Sequence, residues 1–401
     1  MTYIVMDNLK KLVPYWFFVF TIGFGWFILS PVIPELMAHL SASLSEIVLI
    51  LSVYGYTMAI IGLIAGVLSA KFTVKSSIYL AMVFSIAGLF IRIFATDYME
   101  FLILSIIAAS AYPFSLAPVG SIAESMDKKR SATITGLSIG FLFLGMSVGA
   151  LLGPYIYLAF SLAGIMAFPA ALTIIASLWL FVYLPQYPEK YRGKSLRGAF
   201  KPGMVKNWYI GLSMASISIL FGDIAATALG FHFTGTFLLK LSGVMGGVEF
   251  LGSALGALIL PFIFERYHLI RSGTVLAGLV SFIFAIVLLY TLVYTDIAAI
   301  ITASFFIFGF FGNAFWVMAL NSIINYVDDP AKAGFATSMY SVATNIGVAI
   351  IPVVLSADFV SITKSIYGII PAVVIVLVAF AISPTILAGR RKSSSEAAAE
   401  S

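Results

Sequence analysis

Two stretches of this 401-residue sequence decide its fold: GLSIGFLFLGMSVGALLGP at residues 136–154 and GFATSMYSVATNIGVAIIP at residues 334–352. In both stretches the last Pro follows the first Gly by 18 residues, and a further Gly, Gly149 or Gly347, lies five residues before that Pro. Each stretch is apolar and close to the roughly 20 residues that a helix needs to cross a bilayer. Their shared register predicts a chain built from two repeated halves, as in many membrane proteins.

The composition extends this interpretation to the whole chain. Hydrophobic residues make up 61% of the sequence and charged residues 10%, against about 25% charged residues in soluble domains. The absence of Cys leaves no thiolate for a metal site. Twelve apolar stretches predict membrane spans at residues 15–36, 47–70, 76–96, 101–123, 132–157, 163–184, 209–233, 244–264, 272–294, 297–324, 333–355 and 366–387.

The spacing of these spans predicts the domain organisation. The fold class is all-α integral membrane, with twelve transmembrane helices in two pseudo-symmetric six-helix bundles at residues 1–184 and 209–389. Between them, residues 185–208 contain three Pro and six Lys or Arg and are predicted to form a basic central loop on the cytoplasmic side. Residues 390–401 are rich in Ser, Ala and Glu, which predicts a disordered tail.

The basic residues predict the orientation, because Lys and Arg in short loops stay on the cytoplasmic side of a membrane. With the amino terminus inside, all but three of the 22 Lys and Arg residues are cytoplasmic. The exceptions are Lys240 and Lys364 on the outer side and Arg92 within a span. We therefore expect a multi-pass protein of the cell membrane with both termini in the cytoplasm. The basic excess faces lipid head groups and indicates no nucleic-acid partner.

The loop after the second span carries a known pattern, Gly-x-Leu-(small)-Asp-Arg-x-Gly-(basic)-(basic). The residues that match it are Gly66, Leu68, Ser69, Lys71 and Lys75. With its six-plus-six spans and central loop, the chain resembles the major facilitator superfamily over essentially its whole length. The resemblance implies transport by alternating access around a site at the midplane. Ala70 replaces the family Asp and Thr73 the family Gly, and this puts in question the charge latch to which that Asp belongs.

A second pattern lies at the end of the fifth span. Gly149, Gly153 and Pro154 resemble part of the antiporter signature of that superfamily, Gly-x-x-x-Gly-Pro-x-x-Gly-Gly, although Tyr157 and Leu158 replace its last two Gly. The fragment is compatible with export by exchange or with close helix packing alone. We predict a role in gating or helix packing for Gly66, Lys71, Gly149, Gly153, Pro154, Gly347 and Pro352.

Charged residues inside the spans are the strongest pointers to function, because burial in hydrocarbon is costly unless the group is paired, protonated or wet. Asp223 lies 14 residues into its span, near the midplane at about 1.5 Å per residue. It is our first candidate for proton coupling or substrate binding, against a purely structural role. Glu249 and Arg92 lie near outer ends and are candidates for an ion pair at a gate or substrate anchor. Alternatively, Arg92 pairs with Asp97 or extends its side chain to the membrane–water interface.

Polar and aromatic residues near the midplane predict the wall of a cavity. Pro113 and Pro118 predict a kinked fourth span that lines it. The residues predicted to line the cavity are Trp26, Tyr112, Ser115, Asn313, Trp316, Ser341 and Asn345. A wall of aromatics and amides with one central acid suits a neutral, amphipathic or cationic solute better than a multiply charged anion.

These observations predict a secondary active transporter of a small solute, driven by protons and acting as a symporter or antiporter. Proton antiport of lipophilic compounds or drugs and uptake of a small metabolite remain open alternatives, and a non-transporting membrane receptor is a third. No nucleophile cluster or metal-ligand spacing accompanies the spans, so we expect no enzyme, cofactor or metal. The expected partners are the solute, protons and membrane lipid, and the expected state is a monomer.

Overall fold

The computed structural model describes residues 10–187, 195–232, 235–327, 329–362 and 370–388. Within these ranges it describes all side chains except those of residues 44, 219–232, 235–239, 242, 351–362, 370–373, 375, 376, 385, 387 and 388. The predicted tail and Lys364 lie outside the described residues.

The described residues form helices joined by short connections, and they contain no strand. In chain order the α-helices are α1 (Val13–Phe27), α2 (Ile33–Leu40), α3 (Leu44–Lys71), α4 (Val74–Ile91), α5 (Tyr98–Ala109), α6 (Ala111–Leu116), α7 (Val119–Met126), α8 (Ser131–Tyr183), α9 (Val205–His232), α10 (Gly235–Arg266), α11 (Ile270–Tyr294), α12 (Ala298–Ser322), α13 (Pro330–Ile362) and α14 (Ile370–Ala388).

Eight segments of the described chain are long and apolar enough to cross a membrane. They are Val13–Leu40, Ser45–Lys71, Val74–Phe94, Tyr98–Met126, Lys128–Gln186, Gly243–Arg266, Ile270–Tyr294 and Ala298–Tyr326. The protein is therefore an all-helical, multi-pass membrane protein, as the composition predicts. The count of twelve spans stays a prediction.

Proline and one strained residue account for the main interruptions of these helices. The predicted kink of the fourth span is confirmed, because the chain divides there into α5, α6 and α7 around Pro113 and Pro118. A non-helical residue, Ser161, with φ 56° and ψ −162°, interrupts the 53-residue α8. It lies in the gap between the fifth and sixth predicted spans.

Several helices begin before the spans that the sequence predicts, and α9 is an example with a clear cause. Helix α9 begins at Val205, four residues before the predicted span. A 3₁₀ turn at Pro202–Met204 leads directly into it, and the fixed φ of Pro favours a helical start. Hydropathy misses this turn because Lys206 and Asn207 are polar, although Asn207 is buried and donates to the Ala319 carbonyl (2.7 Å).

The most extensive helix contacts join α1 to α8, α8 to α10, α10 to α12, and α3 to α13. The α8–α10 and α3–α13 contacts connect residues before the central loop with residues after it. Small residues let the backbones approach: a Cβ on Gly136 of α8 would lie 2.3 Å from the Ala257 carbonyl oxygen of α10. Close approach of this kind stabilises helix association in lipid, where apolar burial alone gives no preference for protein over bilayer.

Candidate functional site

A cavity of about 110 Å³ lies between helices from the two parts of the chain. Eighteen described residues line it, contributed by α1, α6, α8, α9, α10, α12 and α13. Six of them are aromatic: Trp26, Phe27, Tyr112, Phe143, Phe250 and Trp316. The polar lining residues besides Tyr112 are Ser218, Ser253, Asn313, Thr344 and Asn345. The remainder are aliphatic residues and Met, so the wall is mainly apolar with a few polar groups.

Helix α8 shows that close contacts flank the cavity on both sides. Its residues 139, 142, 143 and 146 line the cavity. Toward the start of the helix, Thr135 donates to Asn321 Oδ1 (3.3 Å). In the other direction, the Ser147 hydroxyl donates to the Gly247 carbonyl (2.6 Å). Along α8, the cavity is thus flanked by two contacts that join residues far apart in sequence.

The indole N–H groups of the two lining Trp residues donate hydrogen bonds to other protein atoms. Trp26 Nε1 donates to the Leu51 carbonyl (2.8 Å), and its ring stacks on Tyr54 with centroids 4.4 Å apart. Trp316 Nε1 donates to Thr344 Oγ1 (3.2 Å). The indole donors are thereby satisfied, and the rings offer aromatic surface to the cavity.

The two lining Asn residues are oriented by backbone carbonyls. Asn313 Nδ2 donates to the Ser253 carbonyl (2.9 Å), and Asn345 Nδ2 donates to the Ser341 carbonyl (2.8 Å) and more weakly to Tyr112 Oη (3.4 Å). A carbonyl only accepts hydrogen bonds, so the amide nitrogen must face it. Neither amide oxygen has a hydrogen-bond partner among the described residues.

Glu249 is a buried acid immediately behind the wall. It is 6% exposed, and its Oε1 accepts a hydrogen bond (3.1 Å) from the lining residue Ser218. It precedes Phe250 and lies one helical turn before Ser253, both of which line the cavity. Among the described residues no Lys, Arg or His pairs with it. When ionised, Glu249 therefore has no permanent counter-ion among the described residues.

Arg92 is also buried, but it is not paired with Glu249. The guanidinium lies 5.1 Å from the centroid of the Phe101 ring and donates weakly to Ser105 Oγ (3.4 Å). Its Nε and Nη2 have no hydrogen-bond partner among the described residues. At 1% exposure it does not reach the membrane surface. Asp97, the alternative partner, instead caps α5 by accepting from the Glu100 backbone N–H.

Five of the seven residues predicted to line a cavity do line this one: Trp26, Tyr112, Asn313, Trp316 and Asn345. Ser115 and Ser341 are buried beside it; the Ser115 hydroxyl donates to the Tyr112 carbonyl. Sequence reasoning missed Ser218, Phe250 and Thr344, although each lies within five residues of a candidate it singled out. Asp223 lies on α9, and its side chain is outside those described. Whether these residues bind solute or protons stays a prediction.

The predicted packing residues lie mostly at helix crossings. A Cβ on Gly149 would lie 2.7 Å from the Phe24 carbonyl oxygen, and a Cβ on Gly153 would lie 2.7 Å from the Pro31 ring. A Cβ on Gly66 would lie 2.8 Å from the Ser338 side chain, and a Cβ on Gly347 would lie 2.9 Å from the Ser216 hydroxyl. Pro154 is buried and packs near Gly243. Lys71 is exposed in the last turn of α3. The side chain of Pro352 is outside those described.

One charged contact at the start of α8 was not predicted. Glu265, near the end of α10, accepts hydrogen bonds from the backbone N–H groups of Ala132 (3.1 Å) and Thr133 (3.0 Å) and from the Thr133 hydroxyl. These N–H groups have no partner within the helix, and a carboxylate there also interacts favourably with the helix dipole. Glu265 therefore ties α10 to α8 across the two parts of the chain.

No cluster of three or more His, Asp or Glu that could hold a metal ion occurs in the part of the chain that the structure describes. The cavity wall itself carries hydroxyls, amides and aromatic rings, which bind small organic solutes or water. Its geometry is suited to holding a molecule rather than to changing one.

Comparisons with known proteins agree with this architecture. The family model described as Major Facilitator Superfamily matches residues 15–352. The crystal structure of the human organic anion transporter MFSD10 (TETRAN) matches with a TM-score of 0.73 and 14% sequence identity, over 95% of this chain and 99% of that chain. At this identity the likeness shows the fold alone. The comparison with curated proteins gives no match.

Proposed function

Because this chain belongs to the major facilitator superfamily, we propose that it is a proton-coupled secondary active transporter of a small solute that works by alternating access. The family and fold already show that the protein is a multi-pass membrane transporter and not an enzyme. The proposal adds the kind of solute, the coupling ion and the architecture.

The cavity and the contacts that flank it along α8 carry this proposal. Along α8, the Thr135–Asn321 contact lies on one side of it and the Ser147–Gly247 contact on the other. In this proposal, a solute leaves the cavity on the side where the flanking contact opens. Opening the contacts in alternation moves the solute across the membrane without a continuous pore, as expected for helices that rock around a midplane site.

The size of the cavity favours a small solute over a large lipophilic drug. A volume of about 110 Å³ holds roughly seven water molecules if each needs about 15 Å³. Pockets for drug-sized ligands measure roughly 300–1,000 Å³. Of the two alternatives that the sequence leaves open, we therefore propose transport of a compound of metabolite size.

Glu249 and Asp223 are the proposed proton-binding groups. Glu249 is buried, hydrogen-bonded to a lining hydroxyl and without a cationic partner among the described residues. Such a carboxyl can bind a proton in one conformation and release it in the other when its access to water changes. Asp223 has the same chemistry and, from its position in the sequence, lies near the midplane on the helix that carries Ser218.

For the architecture we propose twelve spans in two pseudo-symmetric bundles, with both termini in the cytoplasm. Dividing α8 at Ser161 and adding α9, α13 and α14 to the apolar segments gives twelve helices. The repeated glycines pack in corresponding places: Gly149 against α1 and Gly347 against α9, the first helix of each half. A repeat in both sequence and contacts supports this arrangement.

The proposed function is tested in vesicles that contain the purified protein and an internal pH-sensitive dye. Compounds of metabolite size are first selected by their effect on thermal unfolding, and each is then added with and without an imposed pH gradient. We expect at least one to produce a proton flux that needs the protein. Glu249→Gln or Asp223→Asn should abolish proton flux while solute exchange without a gradient persists, because an amide cannot carry the proton.

Glu100→Gln provides the matched control, since it makes the same chemical change at an exposed helix end. It should leave proton flux unchanged. If both Glu249→Gln and Asp223→Asn retained normal gradient-driven flux, the proposed coupling would be wrong. If no compound moved in any assay, the transport assignment itself would need revision.

A further inference from the structure

We propose that the cavity selects a small organic cation, an amine that donates hydrogen bonds from its charged nitrogen. This inference rests on the proposed function and specifies the solute. It follows from which polar atoms of the wall are already used by the protein and which remain for a ligand.

Most nitrogen donors of the wall already donate hydrogen bonds within the protein. Both Trp N–H groups donate within the protein, Trp26 to Leu51 and Trp316 to Thr344. The amide nitrogens of Asn313 and Asn345 donate to backbone carbonyls. The Ser253 hydroxyl is directed to the Gly309 carbonyl (3.4 Å). Among the described residues, only Asn313 keeps an unused N–H on these nitrogens, so the wall offers few donors to an anionic or acceptor-rich solute.

Oxygen acceptors in or beside the wall remain available to a ligand. The amide oxygens of Asn313 and Asn345 have no hydrogen-bond partner among the described residues, and each can accept two hydrogen bonds. Glu249 adds a carboxylate that receives one hydrogen bond, on Oε1 from Ser218. Two hydroxyls, Tyr112 and Thr344, already accept a hydrogen bond and keep a proton to donate. Acceptors nevertheless dominate, and Glu249 places an acidic group beside the wall.

The aromatic rings favour the same kind of ligand. A cation over the face of a Trp, Tyr or Phe ring gains electrostatic energy from the negative ring face, most strongly with Trp. The cavity offers six aromatic rings, two of them from Trp26 and Trp316. No Lys, Arg or His occurs among the described lining residues. Arg92 lies outside the wall, so a carboxylate solute would meet no positive charge there.

Binding of three probes of similar size tests the inference: 2-phenylethylammonium, the neutral 2-phenylethanol and the anionic phenylacetate. The full-length protein is placed in lipid nanodiscs near neutral pH, and binding is followed by tryptophan fluorescence, to which Trp26 and Trp316 contribute. We expect the ammonium compound to bind at least tenfold more tightly than either analogue. Glu249→Gln should reduce that preference at least fivefold, whereas Glu100→Gln should preserve it.

A thermal unfolding curve for each variant shows that the fold is retained. Trp316→Phe provides a second variant, which keeps an aromatic face and should weaken binding of the ammonium compound by roughly two- to fivefold. The inference is overturned if phenylacetate or 2-phenylethanol binds as tightly as the ammonium compound, or if none of the three binds. It is also overturned if Glu249→Gln binds the ammonium compound with unchanged preference.

Failure of this inference can be distinguished from failure of the proposed function. Proton-coupled flux of a carboxylate, without binding of the ammonium compound, would refute cation selection and leave the transporter assignment standing. Selective binding of the ammonium compound without any flux in vesicles would support cation selection and refute the transporter assignment.

Discussion

Glu249 and Arg92 are both buried charged residues of helical spans, but their surroundings differ in kind. Glu249 accepts a hydrogen bond from the lining hydroxyl of Ser218, so a single side chain connects it to the cavity. Arg92 is packed against Phe101 and Ser105, and two of its nitrogens have no hydrogen-bond partner among the described residues. A buried charge without full compensation costs free energy. The acid therefore suits a role in transport, while the guanidinium is held by packing.

Replacing Arg92 with Met tests this distinction. Met has a similar length and no desolvation cost, so we expect the thermal unfolding midpoint in detergent to stay unchanged or to rise, by the equivalent of about 1–2 kcal/mol. Proton flux should stay at the wild-type level because Arg92 does not line the cavity. Arg130→Met is the control, since Arg130 is exposed and its contact with Asp127 (3.9 Å) contributes little. A marked loss of stability in Arg92→Met alone would reveal a partner for Arg92.

Helix crossings in this protein depend on glycines at particular turns. On α8, Gly136 meets the Ala257 carbonyl of α10, and Gly149 meets α1. On α10, Gly252 and Gly256 meet the carbonyl oxygens of Phe306 and Phe310 on α12. These contacts bring backbones together without intervening side chains, so each glycine sets the distance between two helices.

Gly136→Ala should disturb the α8–α10 crossing. The added Cβ would lie 2.3 Å from a backbone oxygen, and backbone cannot move aside without shifting a helix. We expect the protein to fold with a lower unfolding midpoint and at least a tenfold lower rate of solute-driven proton flux. Gly246→Ala on α10 is the control, because nothing lies within 4 Å of its added Cβ. If Gly136→Ala and Gly246→Ala had the same unfolding midpoint and the same proton flux, the α8–α10 crossing would tolerate a wider separation of the two helices.

Much of the element structure follows from the sequence. The interruption of the fourth span follows from Pro113 and Pro118, because each removes a backbone donor, and the gap after the fifth span contains Ser161. The early start of α9 does not follow, since Asn207 is polar and its burial depends on Ala319, more than 100 residues away. Local pattern predicts a helix well, but its ends also depend on distant partners.

The whole molecule encloses its cavity with helices from both sides of the central loop. At the start of α8, the Thr135–Asn321 contact and the Glu265 cap join the two parts of the chain. Alternating access requires contacts of this type to break once in each cycle. Contacts within one half, such as the Ser213–Ser383 hydrogen bond between α9 and α14, need not change.

A pair of engineered disulfides tests this difference, and the absence of Cys in the natural chain simplifies the design. Oxidation of Thr135→Cys/Asn321→Cys should abolish solute-driven proton flux, and reduction should restore it, because the bond holds the start of α8 against α12. Ser213→Cys/Ser383→Cys should transport equally well when oxidised and reduced. Normal flux through a fully cross-linked Thr135→Cys/Asn321→Cys protein would mean that these ends do not separate during transport.

The sequence by itself determined the membrane class, the family and five of the eleven polar and aromatic residues that line the cavity. These properties depend on the length of apolar runs, on a repeat along the chain and on helical spacing, which are local. Tertiary structure decided that Glu249 meets Ser218, that Arg92 is buried but not paired with Glu249, that Glu265 caps α8, and that contacts between distant residues flank the cavity. Each of these depends on which helices pack together, so the contacting residues lie far apart in the chain and no local pattern encodes them.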